Sequence, residues 1–73
     1  MGKRNHRDRD ALARNIRRLR LAKGWSQEQL AIEAGDLRQA LISDLENGRG
    51  NQRLGTLKKV AAALGVKVAD LLT

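Results

Sequence analysis

"WSQEQLAIEAGDLRQALISDLENG", residues 25–48, holds two helical patterns around one glycine. In the first, Ser26 and Gln29 have the S-x-x-Q spacing of a capping box, which predicts a helix start. Trp25 before the cap and Leu30 beyond it have the spacing of a hydrophobic staple. Trp25 is therefore expected to clamp the chain rather than stack on a base, since base stackers come in sets. Gly35 closes this helix, as a left-handed helix end requires. Residues 34–48 then read as a second helix that ends near Asn47-Gly48. Leu37, Leu41, Ile42 and Leu45 recur on one stripe, and Arg38, Gln39, Ser43, Asp44 and Asn47 fill the other face. That polar face can hydrogen-bond, but it carries no obvious catalytic group.

Glycines punctuate the rest of the chain in the same way. Residues 10–23 read as a first helix, with Leu12, Ile16 and Leu19 on its core stripe and Arg14, Arg17 and Arg18 opposite. Residues 1–9 are basic and poor in apolar side chains, and are expected to form a disordered arm ahead of one domain, 10–73. After Gly48 comes a basic polar loop, "RGNQR", and then a helix over 54–64 with Leu54, Leu57, Val60, Ala61 and Leu64 as its stripe. Beyond Gly65, "VKVADLLT" predicts a short apolar helix. The fold class expected is all-α, a compact domain of five helices.

The composition narrows the function. Seventy-three residues make one small domain with a thin core. Cysteine is absent, so disulfides and thiol chemistry are excluded. No apolar run approaches the ~18 residues of a membrane span. The start, Met1-Gly2-Lys3-Arg4-Asn5-His6, lacks the Ser or Thr of a myristoylation signal and the apolar stretch of a secretory one, so a cytoplasmic location is expected. The net charge is +7. Residues 1–23 hold nine Lys/Arg and two Asp, whereas residues 24–73 hold six basic and six acidic side chains. The excess thus sits on the N-terminal segment and first helix, and points to a polyanionic partner, nucleic acid before membrane. His6 has no second ligand near it, and Ser26, Ser43 and the lysines lack a His or Cys to activate a nucleophile. No enzyme activity, cofactor or metal is expected.

A short helix, a glycine turn and a second helix form a helix-turn-helix unit, whose second helix lies in the DNA major groove. "GWSQEQLAIEAG" followed by "ISDLENGRGNQRLGTLKKVAAALGVKVADLL" resembles the phage Cro and lambda-repressor type of helix-turn-helix domain, and "IRRLRLAKG" fits that family's first helix. The resemblance covers residues 12–72. It implies a five-helix fold and a dimer that binds operator DNA, usually as a repressor. One departure stands out. Six residues separate Gly35 from Ile42, one more than the family pattern has. A gap at Asp36 keeps Leu37 at the apolar turn position and Ile42 and Leu45 in the core. Alternatively, Asp36 caps an earlier helix start in a D-x-x-Q box with Gln39.

With the gap at Asp36, the base-reading positions implied are Arg38, Gln39, Ala40, Ser43 and Asp44. Gln39 suits adenine, Arg38 guanine or a phosphate, and the Ala40 methyl thymine. Asp44 either accepts from cytosine or serves solubility, and Leu41 is either an exposed member of this face or packs inward. The resemblance puts phosphate contacts at Gln27 and in the loop, on Arg49, Asn51 and Arg53. It also implies a partly buried ion pair between Arg20 and Glu46 that joins the first and third helices. The partners expected are double-stranded DNA and a second copy bound through Val66, Val68, Leu71 and Leu72. Antitoxin-type toxin binding and a restriction–modification controller role are the alternatives.

Overall fold

The computed structural model describes residues 3–49 and 53–73, with side chains from Arg9 onward. Five helices follow in order: α1 (Lys3–Ala22), α2 (Gln27–Glu33), α3 (Gln39–Glu46), α4 (Leu54–Leu64) and α5 (Val68–Leu71). Among the described residues there is no strand. α1 packs across α3, α4 and α5, and α2 packs against α3 and α4.

The core takes Ile16 from α1, Leu30 and Ala31 from α2 with Ala34 at its end, Ile42 and Leu45 from α3, Val60, Ala61 and Leu64 from α4, and Leu71 from α5. Leu12, Leu19, Trp25, Leu37 and Leu57 pack around it. Ile16, Leu30, Ile42, Val60 and Leu71 are fully buried. Truncating one such Leu or Ile to Ala typically costs about 2–5 kcal/mol, so a core this thin tolerates few losses.

α4 occupies the span its periodicity predicts, 54–64, and stops at Gly65, which is left-handed at φ 77°. α1 differs from expectation. It begins at Lys3 instead of near residue 10, so the backbone of residues 3–9 is helical. No Gly or Pro interrupts the chain between Lys3 and Lys23, and nothing in that stretch breaks a helix.

The α2 start is only half the expected capping box. The Gln29 N–H donates to Ser26 Oγ at 3.0 Å, but the Gln29 side-chain amide turns away and donates to Glu33 Oε2 at 2.7 Å. An i, i+4 partner on the same helix competes successfully for the amide.

The turn between α2 and α3 corrects the reading of 34–48 as one helix. Residues 34–38 form the turn, and α3 spans only Gln39–Glu46. Gly35 (φ 105°) and Asp36 (φ 57°) are both left-handed in succession. Asp36 therefore absorbs the extra residue, and it does not cap α3. Asp tolerates this backbone region better than most side chains, which allows a second left-handed residue without a second glycine. The Leu37 N–H then donates to the Ala31 carbonyl at 2.9 Å, and the Leu37 side chain returns to the core.

The C-terminal segment closes the monomer. Leu71 is fully buried, Val66 and Val68 pack on the core, and only Leu72 of the four apolar residues is left exposed. Asn15 Nδ2 donates to the Leu71 carbonyl at 2.9 Å, tying α5 to α1. The Lys67 N–H donates to the Asp70 carboxylate at 3.0 Å, which fixes the first turn of α5.

Candidate nucleic-acid interface

α3 is anchored from behind by Ile42 and Leu45, both in the core. That anchoring turns Arg38, Gln39 and Ala40 outward, and all three are exposed. Leu41 is half-buried, so it does not stand free on the polar face. Ser43 and Asp44, one turn further on, are also half-buried. Asn47 Nδ2 donates to the Ser43 carbonyl at 2.8 Å and reaches Ser43 Oγ at 3.3 Å. The exposed cluster is thus the first turn of α3, and Ser43 and Asp44 border it rather than project from it.

The helix begins without a conventional cap. Arg38 is the N-cap residue, with extended backbone and no side-chain cap bond, because a guanidinium has no acceptor to offer. Arg53 holds the same position on α4, also without a side-chain cap. Cations at helix N-termini oppose the helix dipole and leave N–H groups directed outward. Both features suit an anionic partner.

Arg20, Glu46 and Gln27 form one connected network. Arg20 Nε donates to Glu46 Oε2 at 2.6 Å and Nη2 donates to Oε1 at 2.9 Å, a bidentate pair between α1 and α3. Arg20 Nη1 donates to the Trp25 carbonyl at 2.7 Å, which fixes the approach to α2. Both side chains are nearly buried. The bond to Glu46 raises the Arg20 pKa, burial opposes it, and the nearby negative charge adds to the rise. Gln27 Nε2 also donates to Glu46 Oε1, at 3.3 Å, so the half-buried Gln27 is tethered and not a free surface amide. That tether was invisible in the sequence, because Gln27 and Glu46 meet only once α2 and α3 are packed. Trp25 is half-buried against the core, with Lys23 Nζ 5.1 Å from its ring centre, which fits its role as a clamp.

Arg49 and Arg53 are both exposed where the described chain leaves α3 and enters α4. Asn51 and the side chain of His6 lie outside the described residues. A Cβ placed on Gly48 would sit 3.9 Å from Arg9 Cβ and from Asp10 Oδ1, so α1 runs beside the end of α3. The structure thus brings Arg38, Gln39 and Ala40 together on one turn, with Gln27 tethered near the far end of the same helix.

A family model described as Helix-turn-helix matches residues 16–71. The chain belongs to the Cro/C1-type helix-turn-helix family. The chain is 47% identical over 64 residues to a hypothetical transcription factor of Neisseria meningitidis serogroup B, covering 88% of this chain and 59% of that protein. It is also 47% identical over 58 residues to the control protein C.BamHI of Bacillus amyloliquefaciens, covering 78% of this chain and 70% of that one. The crystal structure of the hypothetical transcription factor NHTF from Neisseria superposes with a TM-score of 0.84 at 45% identity, over 90% of this chain and 75% of that one. The clp gene regulator ClgR of Corynebacterium glutamicum superposes with a TM-score of 0.78 at 36% identity, over 88% and 67% of the two chains. The Neisseria protein is named a hypothetical transcription factor and the Corynebacterium protein a gene regulator. The chain thus spans about three-fifths of the length of the Neisseria relative. Among the described residues, no helix is long and apolar enough to cross a membrane.

Proposed function

We propose that this helix-turn-helix domain binds operator DNA sequence-specifically and regulates transcription, acting as a repressor on a palindromic site that a dimer occupies. The observation that carries the reading is the exposed first turn of α3, with Arg38, Gln39 and Ala40 projecting while Ile42 and Leu45 hold the helix rigid. Amide and guanidinium groups match base-edge patterns in the major groove. Gln39 reads adenine, Arg38 reads guanine or grips a phosphate, and Ala40 meets a thymine methyl. Ser43 and Asp44 line the edge of the groove-facing surface. Arg49, Arg53, Asn51 and Gln27 contact phosphates, and these contacts set register rather than sequence. The basic residues 1–9 add attraction for DNA of any sequence.

One small domain makes few base contacts, so useful affinity calls for two copies on two half-sites about one helical turn apart. Leu72, 44% exposed beside the core-facing Leu71, is the member of the C-terminal segment available to a second copy. The match to a protein named a control protein favours one second reading, a controller of a restriction–modification system. It differs in the genes regulated, not in the binding chemistry.

Selection from a random duplex pool tests the proposal. The expected result is an enriched sequence with two-fold symmetry and half-sites about 10 base pairs apart. Recovery of unenriched or unsymmetrical sequences would overturn the operator reading.

A further inference from the structure

The outer face of α1 adds to the overall positive charge but supplies none of the base or phosphate contacts proposed above. Arg14, Arg17, Arg18 and Leu21 fall at i, i+3, i+4 and i+7, and all four are exposed. Leu21 is 57% exposed. Phosphates would use the guanidinium groups, but they have no use for an exposed leucine one turn beyond Arg17 and Arg18.

The matching chemistry lies elsewhere on the same molecule. α2 and the turn after it expose Glu28, Glu33 and Asp36 around Ile32, which is 51% exposed. Each face therefore has three like charges and one large aliphatic side chain, and the charges are opposite. Among the described residues, none of these arginines or carboxylates forms an ion pair within the chain. Arg18 reaches only Asn15 Oδ1, at 3.4 Å, and Glu33 only accepts from Gln29.

One molecule cannot bring the two faces together. α1 packs on α3, α4 and α5, α2 packs on α3 and α4, and Ile16 and Leu30 fill the shared core. The outer faces look away from that core in different directions. We infer that the α1 face of one copy docks on the α2 face of another. Such a contact is head-to-tail, so one copy keeps its acidic face free and the other its basic face, each open to a further copy. It is separate from the two-fold contact proposed at Leu72. Exposed ion pairs are weak and screened by salt, so the association is shallow and favours copies already held side by side.

The association needs no nucleic acid, so its test is run without any, and its failure would leave the DNA reading standing. Sedimentation of the full chain at low salt is followed from micromolar to millimolar concentration. The wild type should grow beyond a dimer, and added salt should reverse that growth. R17E/R18E makes both faces acidic, and E28K/E33K makes both basic, so each variant alone should lose at least tenfold in association constant. Mixed in equal amounts, the two variants should regain it, because every contact between them then joins opposite charges. Lys59 borders the acidic face, beside Gly35, so the control is K58E/K67E, which changes net charge as much as R17E/R18E and should leave association intact. A wild type that stays the same size throughout would overturn the inference. So would variants that associate like the wild type, a mixture no larger than its components, or a K58E/K67E control that loses association equally. An α1 face that binds a polyglutamate peptide while the wild type shows no self-association would assign it to another protein and overturn the inference too.

Discussion

Arg38 and Gln39 stand next to each other in the chain but differ in what their loss should reveal. Gln39→Ala should cost about 1–3 kcal/mol on the selected operator and far less on random DNA, measured by competition binding. Equal losses on both would remove Gln39 from base reading. Arg49→Ala should instead weaken binding to all sequences and reduce the salt slope by about one, read from affinity across a salt series. Arg20 and Glu46 answer a different question. Their pair is bidentate and nearly buried, so removing either partner leaves a charge without its mate. Glu46→Ala should destabilise the fold by about 3–5 kcal/mol in chemical denaturation. A raised Arg20 pKa means its stabilising contribution is present below the ordinary guanidinium value and is lost only as pH climbs through the higher folded value. No loss from Arg20 is therefore expected between neutral and mildly alkaline pH. The pairing was suggested by family resemblance, but the Gln27 tether to Glu46 was not, because no local pattern ties the first turn of α2 to the last residue of α3.

Among the elements, the sequence misplaces the start of α3, and the cause is local. Apolar spacing alone extends the helix back to residue 34, because a period of 3.6 cannot sense that two successive residues turn left-handed. Gly35 signals one such residue, whereas Asp36 carries no comparable mark. The span of α4 is legible because apolar spacing carries it to Leu64 and Gly65 ends it, but its core stripe starts at Leu57, since Leu54 is 58% exposed. α1 was read too short because a charged stretch without apolar residues resembles a loose arm, yet it holds no helix breaker. The cap of α3 supplies a test of the compromise between folding and binding. Arg38→Ser places a hydroxyl acceptor at the N-cap. It should raise stability by about 0.5–2 kcal/mol, seen as a higher midpoint in denaturation, while operator affinity falls. A variant both less stable and equally tight in binding would show that Arg38 serves the fold.

The whole molecule concentrates its surplus positive charge on one helix while the remaining residues balance. Removing residues 1–8 should lower affinity for every DNA sequence and slow association, as measured at two salt concentrations, and should leave the core helices folded. A loss of cooperative unfolding would make those residues structural instead. The fold class and the five-helix order were legible because aliphatic periodicity and glycine ends agree throughout the chain. The division of the C-terminal segment between core and surface was not, since Val66, Val68, Leu71 and Leu72 look alike until α5 packs on α1 and α4. The central claim is that the first turn of α3 enters a major groove, and methylation footprinting on the selected duplex tests it most directly. Dimethyl sulfate marks guanine N7 in the major groove and adenine N3 in the minor groove. The account predicts protection of guanine N7 in both half-sites, weakened by Arg38→Ala and Gln39→Ala, with adenine N3 still reactive there. Protected adenine N3 beside freely reactive guanine N7 would contradict it.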